Sequence, residues 1–394
     1  MRLNYFKLLL LLLFKSSING QILQINKVVV DFQTKQPLEY VNISNDIDNT
    51  ISNKEGLFVF VSRDKHINIS SVGYETINTT FEEINKQDTI FLKSNIIELE
   101  EIIVDNVSLV LNEVYRNGYK NYFLEPYLEE FFLRGILKRD NTIIRFQDVF
   151  GKVERNSLFV TQKNPQEKYL VEISSLRKIG ISEKENNEYI EFPSFKTLFR
   201  WYSAVFNLPN EYVFTIEKIN DLDYLKINFS KSEENKNTLT RKGYYVINKK
   251  DKSIKEVNYS MVGDVDKIEF NGSRGLKWRT IGIDLYIHFK KNEIENKYYI
   301  GNATLKNTFE TIKGDKKTIY EAFYDLITIR NDVKEKLSSN FSVDKDIFKA
   351  KFPYSEQFWN TQNQLPLTNE LHEFIKRVLD NRNNKEFEIM GNFK

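Results

Sequence analysis

Residues 69–76 read I-S-S-V-G-Y-E-T, and this stretch decides how the first third of the chain is interpreted. The alternation of a β-strand begins here, is interrupted by Gly73 and resumes at Tyr74. A glycine within a strand pattern marks a bulge or a tight bend, because it adopts backbone conformations that side chains disfavour. We therefore predict that Gly73 has such a conformation and that Tyr74 packs at the rim of a β-domain.

Short extended segments separated by turns surround this bend. Residues 57–61, L-F-V-F-V, form a continuous apolar run, which is typical of a strand with both faces covered. The other predicted strands are residues 25–31, 38–43, 49–52, 66–71, 88–92 and 99–104. Seven short strands at this spacing predict a β-sandwich over residues 21–104.

The motifs of this region, in their order along the chain, are those of a known domain. They are V-V-V-D-F-Q-T-K-Q-P-L-E-Y-V-N-I (28–43), T-I-S-N-K-E-G-L-F-V-F (50–60), I-N-I-S-S-V-G-Y-E-T (67–76), D-T-I-F-L (88–92) and I-E-L-E-E-I-I-V (97–104). The region resembles the carboxypeptidase-regulatory-like domain, a transthyretin-like sandwich of exported Bacteroidota proteins. It departs from many members at Asn26-Lys27, where they have a glycine before the first strand.

The resemblance implies a non-catalytic accessory domain, which in the family accompanies a metallopeptidase or precedes the plug of a TonB-dependent receptor. The roughly 290 residues that follow are too few for a 22-stranded transporter barrel with a plug. A metallopeptidase requires His-x-x-Glu or His-Glu-x-x-His. His66, His288 and His372 are the three histidines of the chain, and none begins either pattern.

The rest of the chain is predicted to contain a second β-rich domain flanked by helices. Apolar residues three and four positions apart predict a helical linker over residues 105–125. Successive hairpins, for example around residues 139–141, predict an antiparallel meander over residues 126–345. Residues 346–394 are predicted to form a C-terminal helical segment and tail, with a helix over 367–379. The predicted fold class is therefore mainly β, a seven-stranded sandwich followed by a larger antiparallel meander with few helices.

This second half also resembles a group of Bacteroidota proteins that carry the same first domain and have no assigned activity. The stretches that support it are K-N-Y-F-L-E-P-Y-L-E-E-F-F-L-R (120–134), G-Y-Y-V-I-N-K-K-D-K-S-I-K-E-V (243–257) and S-E-Q-F-W-N-T-Q-N-Q-L-P-L-T-N-E-L (355–371). It is distantly similar to the open half-barrels that hold lipid or lipoprotein in the periplasm.

The N-terminus has the pattern of a secretory signal peptide over residues 1–20. Arg2 and Lys7 precede and flank an apolar run at residues 8–14, and small residues follow before Gln21. We expect an exported protein that lies in the periplasm or at the outer membrane, with the cell surface as a further alternative. No transmembrane helix is expected after cleavage of the signal peptide. Lys and Glu are interspersed at a net charge of +2, which argues against a nucleic-acid partner. The absence of cysteine excludes disulfides and lipoprotein acylation.

No catalytic, cofactor-binding or metal-binding residue is predicted. Glu129 and Glu130 are neighbours on a strand, so their carboxylates point to opposite faces, and they are interpreted as solvated surface charges. Asp264 and Asp266 lack the further ligands of a calcium loop and are interpreted as turn residues. Residues 272–275, G-S-R-G, lack the ending of a phosphate-binding loop.

Two aromatic clusters are the candidate ligand contacts, Trp201 with Tyr202 and Phe358 with Trp359. Their rings have the chemistry to stack on a sugar or a lipid chain. The alternative interpretation is that they pack the sheet against the terminal helix.

Three functions remain open at this point. The first is a non-enzymatic exported envelope protein that uses the sandwich for docking or stability and the β-rich domain for a partner protein, a glycan or a lipid, with strand addition as one docking mode. The second is a peptidase or glycosidase with an unrecognised site, and the third is a periplasmic carrier of lipid or lipoprotein. A deep apolar cavity would favour the carrier, and a polar cleft with converging carboxylates would favour the enzyme.

Overall fold

The computed structural model of the chain describes residues 22–95, 107–116, 118–159, 168–183, 190–203, 212–217, 223–231, 240–273, 275–331 and 336–392. This part is mainly β, with antiparallel sheets and few helices, which confirms the predicted fold class. The predicted signal peptide at residues 1–20 and the predicted strand at residues 99–104 lie outside it. None of the described helices is long and apolar enough to cross a membrane.

Residues 22–95 form a sandwich of two sheets. Its elements are β1 (Leu23–Asp31), β2 (Asn42–Ser44), β3 (Asn49–Ile51), β4 (Leu57–Ser62), β5 (His66–Ser70), β6 (Ile77–Thr80), α1 (Phe81–Asn85) and β7 (Thr89–Leu92). One sheet has the order β4-β1-β7 and the other β3-β2-β5-β6. Apolar side chains such as Val29, Phe60 and Ile69 are buried between them, as expected for alternating residues of two facing sheets.

The sandwich differs from the sequence prediction in two details. The strand predicted at residues 38–43 is wrong over residues 38–41, since β2 begins only at Asn42. Tyr40 has a φ of 58°, a left-handed conformation that interrupts extended backbone. The second detail is the β6–α1 segment, which was not predicted and whose helix is capped by the Thr80 side chain.

Gly73 has a φ of 81°, which confirms the predicted conformation. The chain bends here, and the carbonyl of Gly73 accepts a hydrogen bond of 2.7 Å from the amide of Asn95. Tyr74 packs half-buried against the sandwich core, and its hydroxyl donates to Asp31 Oδ2 at 3.0 Å. The glycine therefore forms a structural corner that directs Tyr74 onto the edge of the sandwich.

The second domain is built on one sheet of twelve strands. These are β8 (Tyr127–Arg139), β9 (Thr142–Arg155), β10 (Tyr169–Glu183), β11 (Tyr212–Glu217), β12 (Tyr224–Lys231), β13 (Thr240–Asn248), β14 (Ile254–Val262), β15 (Asn271–Ser273), β16 (Leu276–Asn292), β17 (Lys297–Lys313), β18 (Lys316–Arg330) and β19 (Phe387–Gly391). The order is β11-β12-β13-β14-β16-β17-β18-β8-β9-β10-β19, with β15 paired to β16, and described neighbours are antiparallel. The pairing of β18 with β8 departs from a simple meander.

Turn chemistry sets the register of the β8–β9 hairpin. Asp140 and Asn141 have φ values of 47° and 63°. Two successive left-handed residues make the turn that suits the twist of antiparallel strands, and Asp and Asn tolerate this conformation. The predicted hairpin around residues 139–141 is therefore confirmed, with Arg139 opposite Thr142.

Each face of the large sheet is covered by different elements. The helix face packs against α2 (Val107–Arg116) and α3 (Phe195–Ser203) in one extensive apolar core. The sandwich face packs against β3 and against α4 (Glu356–Trp359) and α5 (Asn369–Asp380) near the C-terminus. The helix predicted within residues 105–125 thus packs into the core of the second domain.

The C-terminal helix forms as its sequence predicts. The Thr368 hydroxyl accepts a hydrogen bond from the Leu371 amide at 3.3 Å and caps the helix. Leu371, Phe374 and Val378 lie on one face and are buried against Phe146. The residues after it continue into β19, which pairs with β10, so residues 387–391 of the predicted tail belong to the sheet.

Candidate ligand cleft between the sandwich and the large sheet

A cleft of about 1070 Å³ lies where the sandwich meets the large sheet. The sandwich contributes residues of β2, β5 and β6 and of the loop before β3. The other wall comes from the ends of β14 and β16 and from the turn at residues 292–296. Asparagine, lysine, tyrosine and acidic side chains make up most of the lining. This volume lies just above the range of small-ligand sites, about 300–1,000 Å³, and leaves room for an oligosaccharide-sized ligand.

Asn45 shapes the sandwich side of the cleft. Its Oδ1 accepts from the amides of Ile47 at 3.0 Å and Asp48 at 2.8 Å, which folds the loop into an Asx turn. Its Nδ2 donates to Ser62 Oγ at 2.8 Å. Its backbone carbonyl accepts a 2.9 Å hydrogen bond from Lys290 Nζ on the sheet. The turn is therefore anchored both within the sandwich and across the cleft.

Two further contacts hold the sandwich against the sheet beside the cleft. Asn49 Nδ2 donates to the carbonyls of Gly301 at 3.2 Å and Thr328 at 3.3 Å. Arg330 Nε donates to Asp48 Oδ1 at 2.5 Å, and Asp48 is 1% exposed. Hydrogen bonds to charged groups contribute more than neutral ones. These bonds fix the distance between the two walls.

Lys255, His288 and Lys290 are among the basic side chains that line the sheet side. Burial lowers the pKa of His288 well below its usual value, and the charges of Lys255 and Lys290 lower it further. Burial also lowers the pKa of Lys290 to about 8, with Lys255 adding to the effect. These shifts mean that the three groups lie close enough to repel one another's positive charge.

Four residues of the lining each keep one buried polar atom without a hydrogen-bond partner among the described residues. These atoms are Asn42 Oδ1, Asn49 Oδ1, His288 Nδ1 and Asn331 Nδ2. Leaving such an atom unpaired costs about 1–3 kcal/mol. A protein rarely places several of them around one cleft unless something else supplies the partners. Ordered water or the polar groups of a ligand would supply these partners, which makes the cleft the candidate site for a polar ligand.

The far wall of the cleft is held by Asp251. Tyr298 donates its hydroxyl to Asp251 Oδ2 at 3.0 Å, and Asn121 Nδ2 donates to the Asp251 carbonyl at 2.8 Å. Burial raises the pKa of Tyr298, and the neighbouring Asp251 raises it further. Tyr298 therefore remains a neutral hydroxyl, fixed in orientation, at the edge of the cleft.

Comparisons with known proteins assign no family to the chain. Neither the protein-family models nor the curated proteins contain a match. A structure described as lipid–protein interactions in lipovitellin aligns with 66% of this chain and 31% of its own, at 9% identity and a TM-score of 0.24. The complex of Pseudomonas aeruginosa MucA and MucB aligns with 57% of this chain and 99% of its own, at 5% identity and a TM-score of 0.16. Similarity at this level shows neither a shared fold nor a shared function.

Two buried carboxyl groups lie on the sandwich face of the sheet, but they do not converge. Burial raises the pKa of Glu256 on β14 to about 7 and that of Asp325 on β18 to about 7. Strands β16 and β17 lie between them, so three strand spacings separate the two residues, about 14 Å in total. The paired carboxyl groups of glycosidases are about 5–9.5 Å apart. This pair does not form such a site.

The described residues also contain no cluster of three His, Asp or Glu side chains that could hold a metal ion.

The aromatic residues named from the sequence lie away from the cleft. Tyr202 is fully buried and donates its hydroxyl to the Tyr324 carbonyl at 2.9 Å, and Trp201 packs against the same core. Trp359 is 1% exposed and meets Phe132 edge to face, while Phe358 packs against the same cluster. All four rings are engaged in packing within the chain.

The cleft residues were not singled out from the sequence. Along β16, Asp284, Tyr286, His288 and Lys290 alternate with apolar residues, and this pattern marks one polar face. It does not distinguish a face in water from a face covered by another domain. The sequence feature that points to this site is a histidine and a lysine on the polar face of a strand whose opposite face is apolar.

Proposed function

We propose that the protein is a non-enzymatic exported protein of the cell envelope that binds a glycan in the cleft between the sandwich and the large sheet. The observation that carries this proposal is the set of unpaired buried polar atoms on Asn42, Asn49, His288 and Asn331. Export is supported by the signal-peptide pattern of residues 1–20. The sandwich, as the resemblance implies, acts as a non-catalytic module and provides one wall of the site.

A glycan suits this lining because sugars present many hydroxyl groups that both donate and accept. Asparagine side chains also do both, with a carbonyl acceptor and an amide donor. Tyr224 adds an aromatic ring to the lining, and the face of such a ring packs on the C–H face of a sugar. A lipid chain would find few apolar partners here. The helix face of the sheet, where a carrier would hold its lipid, is packed against α2 and α3.

Asn42 provides the test of this proposal. It lies on β2 with its Oδ1 unpaired, and valine suits the same strand position. We expect Asn42→Val to keep the melting temperature and to weaken binding of the best oligosaccharide from a glycan array about tenfold, the effect of losing one buried hydrogen bond. Titration calorimetry with the purified protein measures this affinity.

The matched control is Asn26→Val, which makes the same change at an exposed site on β1, outside the cleft. It should bind like the wild type. If the wild type binds no oligosaccharide on the array, or if both variants bind equally well, the proposed function is wrong. Recovery of the protein from the cytoplasm with an intact N-terminus would contradict the export part.

A further inference from the structure

Lys255, His288 and Lys290 form a basic group on the sheet side of the cleft that makes no direct ion pair among the described residues. Lys255 makes no ion pair with any residue in the described ranges. Lys290 donates to a neutral carbonyl, that of Asn45, at 2.9 Å. His288 is 6% exposed and keeps Nδ1 unpaired beside them. Two lysine side chains and the imidazole of His288 therefore meet in one part of the cleft.

The nearest carboxylates have other partners or lie to the side. Asp48 is bound to Arg330 at 2.5 Å. Glu256 stands opposite His288 in the β14–β16 pairing, and burial raises its pKa to about 7, so much of it is neutral near that pH. Asp46 and Glu293 line the cleft and act on Lys290 only through space. Asp251, Glu256 and Glu293 likewise act on Lys255 only through space, so neither lysine makes a direct ion pair among the described residues.

We infer that this basic group binds an acidic substituent of the glycan, a carboxylate or a sulfate. This inference rests on the proposed function, since it names the class of sugar that the same cleft accepts. An anion placed among Lys255, His288 and Lys290 supplies the hydrogen-bond partner that His288 Nδ1 lacks. It also offsets the cost of holding two lysines in a partly buried site, because charge-assisted hydrogen bonds are the strong ones.

The inference is tested by calorimetry with three probes: tetragalacturonic acid, its fully methyl-esterified form and a κ-carrageenan tetrasaccharide, which carries sulfate groups and no carboxylate. We expect the wild type to bind at least one of the two acidic probes. If it binds tetragalacturonic acid, it should bind the methyl ester at least tenfold more weakly. The acid that binds identifies the source of the charge, a uronate or a sulfate.

Lys255→Gln and Lys290→Gln are the test variants, and Lys277→Gln is the control at an exposed site on the same strand as Lys290. Each test variant should weaken binding of the acidic probe by about tenfold or more, the effect of losing one charge-assisted hydrogen bond, and leave binding of the ester unchanged. The control should match the wild type. Lys290→Gln also removes the hydrogen bond to the Asn45 carbonyl. If that loss disturbs folding, Lys255→Gln alone tests the inference.

The binding should also depend on pH with a defined sign. Lys290 carries its charge below a pKa of about 8 and loses it above. Affinity for the acidic probe should therefore fall between pH 7 and pH 9, while affinity for the ester should stay constant. The groups that face Lys290 are Lys255 on β14, His288 on its own strand, Asp46 and Asp48 on the sandwich loop, and Glu293 in the following turn.

The outcomes separate this inference from the proposed function. Equal affinity for tetragalacturonic acid and its ester overturns the acidic-glycan inference and leaves a neutral glycan in the cleft. Binding of neutral array sugars without either acidic probe does the same. Binding of an acidic probe that survives both lysine substitutions overturns the assignment of the anion to this basic group. If the wild type binds neither acidic probe and no glycan on the array, both the inference and the proposed function are wrong.

Discussion

Replacing Asp148 with asparagine is expected to lower the free energy of unfolding by about 4 kcal/mol, the largest single effect that we predict for this chain. Asp148 is fully buried between two arginines. Its Oδ1 accepts from Arg134 Nε, and its Oδ2 accepts from Arg134 Nη2 and from both Nε and Nη2 of Arg177, all at 2.7–2.8 Å. Removing the negative charge leaves two buried guanidinium groups to repel each other.

The same arginines attach the C-terminal segment to the sheet. Arg134 donates to the carbonyls of Leu365 at 2.8 Å and Pro366 at 2.9 Å. Arg177 donates to Gln364 Oε1 at 2.7 Å and lies 4.6 Å from the ring centre of Trp359. Since Asp148 orients both side chains, its replacement should also loosen the segment that precedes α5.

Urea denaturation measures the change in stability, and amide hydrogen exchange of residues 363–378 measures the loosening. Asp344→Asn serves as the matched control, because Asp344 pairs with Lys196 on the surface, where it is 65% exposed. Exposed pairs contribute about 0–1 kcal/mol. If Asp148→Asn is no more destabilising than Asp344→Asn, the buried triad does not support the fold as described.

Glu129→Gln is expected to lower the free energy of unfolding by about 3 kcal/mol, because it also removes the counter-charge of a buried arginine, here on the other face of the sheet. Glu129 Oε2 accepts from Arg155 Nε at 2.8 Å, and both side chains are 1% exposed. The Arg155 guanidinium lies 4.2 Å from the ring centre of Phe199 on α3. Burial raises the pKa of Glu129, and Arg155 opposes this rise. A neutral glutamine would leave the arginine charge buried without a counter-charge.

Denaturation of Glu129→Gln beside Glu191→Gln provides the comparison. Glu191 pairs with Lys349 and is 65% exposed, so its replacement should change stability by less than about 1 kcal/mol. Because Arg155 stacks on Phe199, the Glu129 variant should also lose protection of the α3 amides. A stability equal to that of Glu191→Gln would show that Arg155 is not held by Glu129.

Local features of the fold could be predicted because neighbouring residues determine them. The apolar run at residues 57–61 became β4, the left-handed pair at Asp140 and Asn141 closed its hairpin, and Thr368 capped α5. Gly73 formed the predicted corner. In each case the backbone preference of a few residues agrees with the final structure.

Contacts between distant segments could not be predicted from local sequence patterns. β18 pairs with β8 across almost two hundred residues, and Lys290 meets Asn45 at a separation of 245 residues. Glu129 looked like a solvated carboxylate beside Glu130, yet it is buried against Arg155. Single Asn, Lys and Glu residues have the same local signature in water and under another domain, so only the assembled fold reveals the cleft and its charges.

The most direct test of the cleft as a ligand site is amide hydrogen exchange of the wild-type protein with and without the tightest oligosaccharide from the array. Binding should slow exchange at residues 42–49 on the sandwich and at residues 288–293 on the sheet, because the ligand would bridge both walls. The amides of α3 and α5, which lie outside the cleft, should not change. Protection confined to other parts of the chain, with both cleft segments unchanged, would contradict the account.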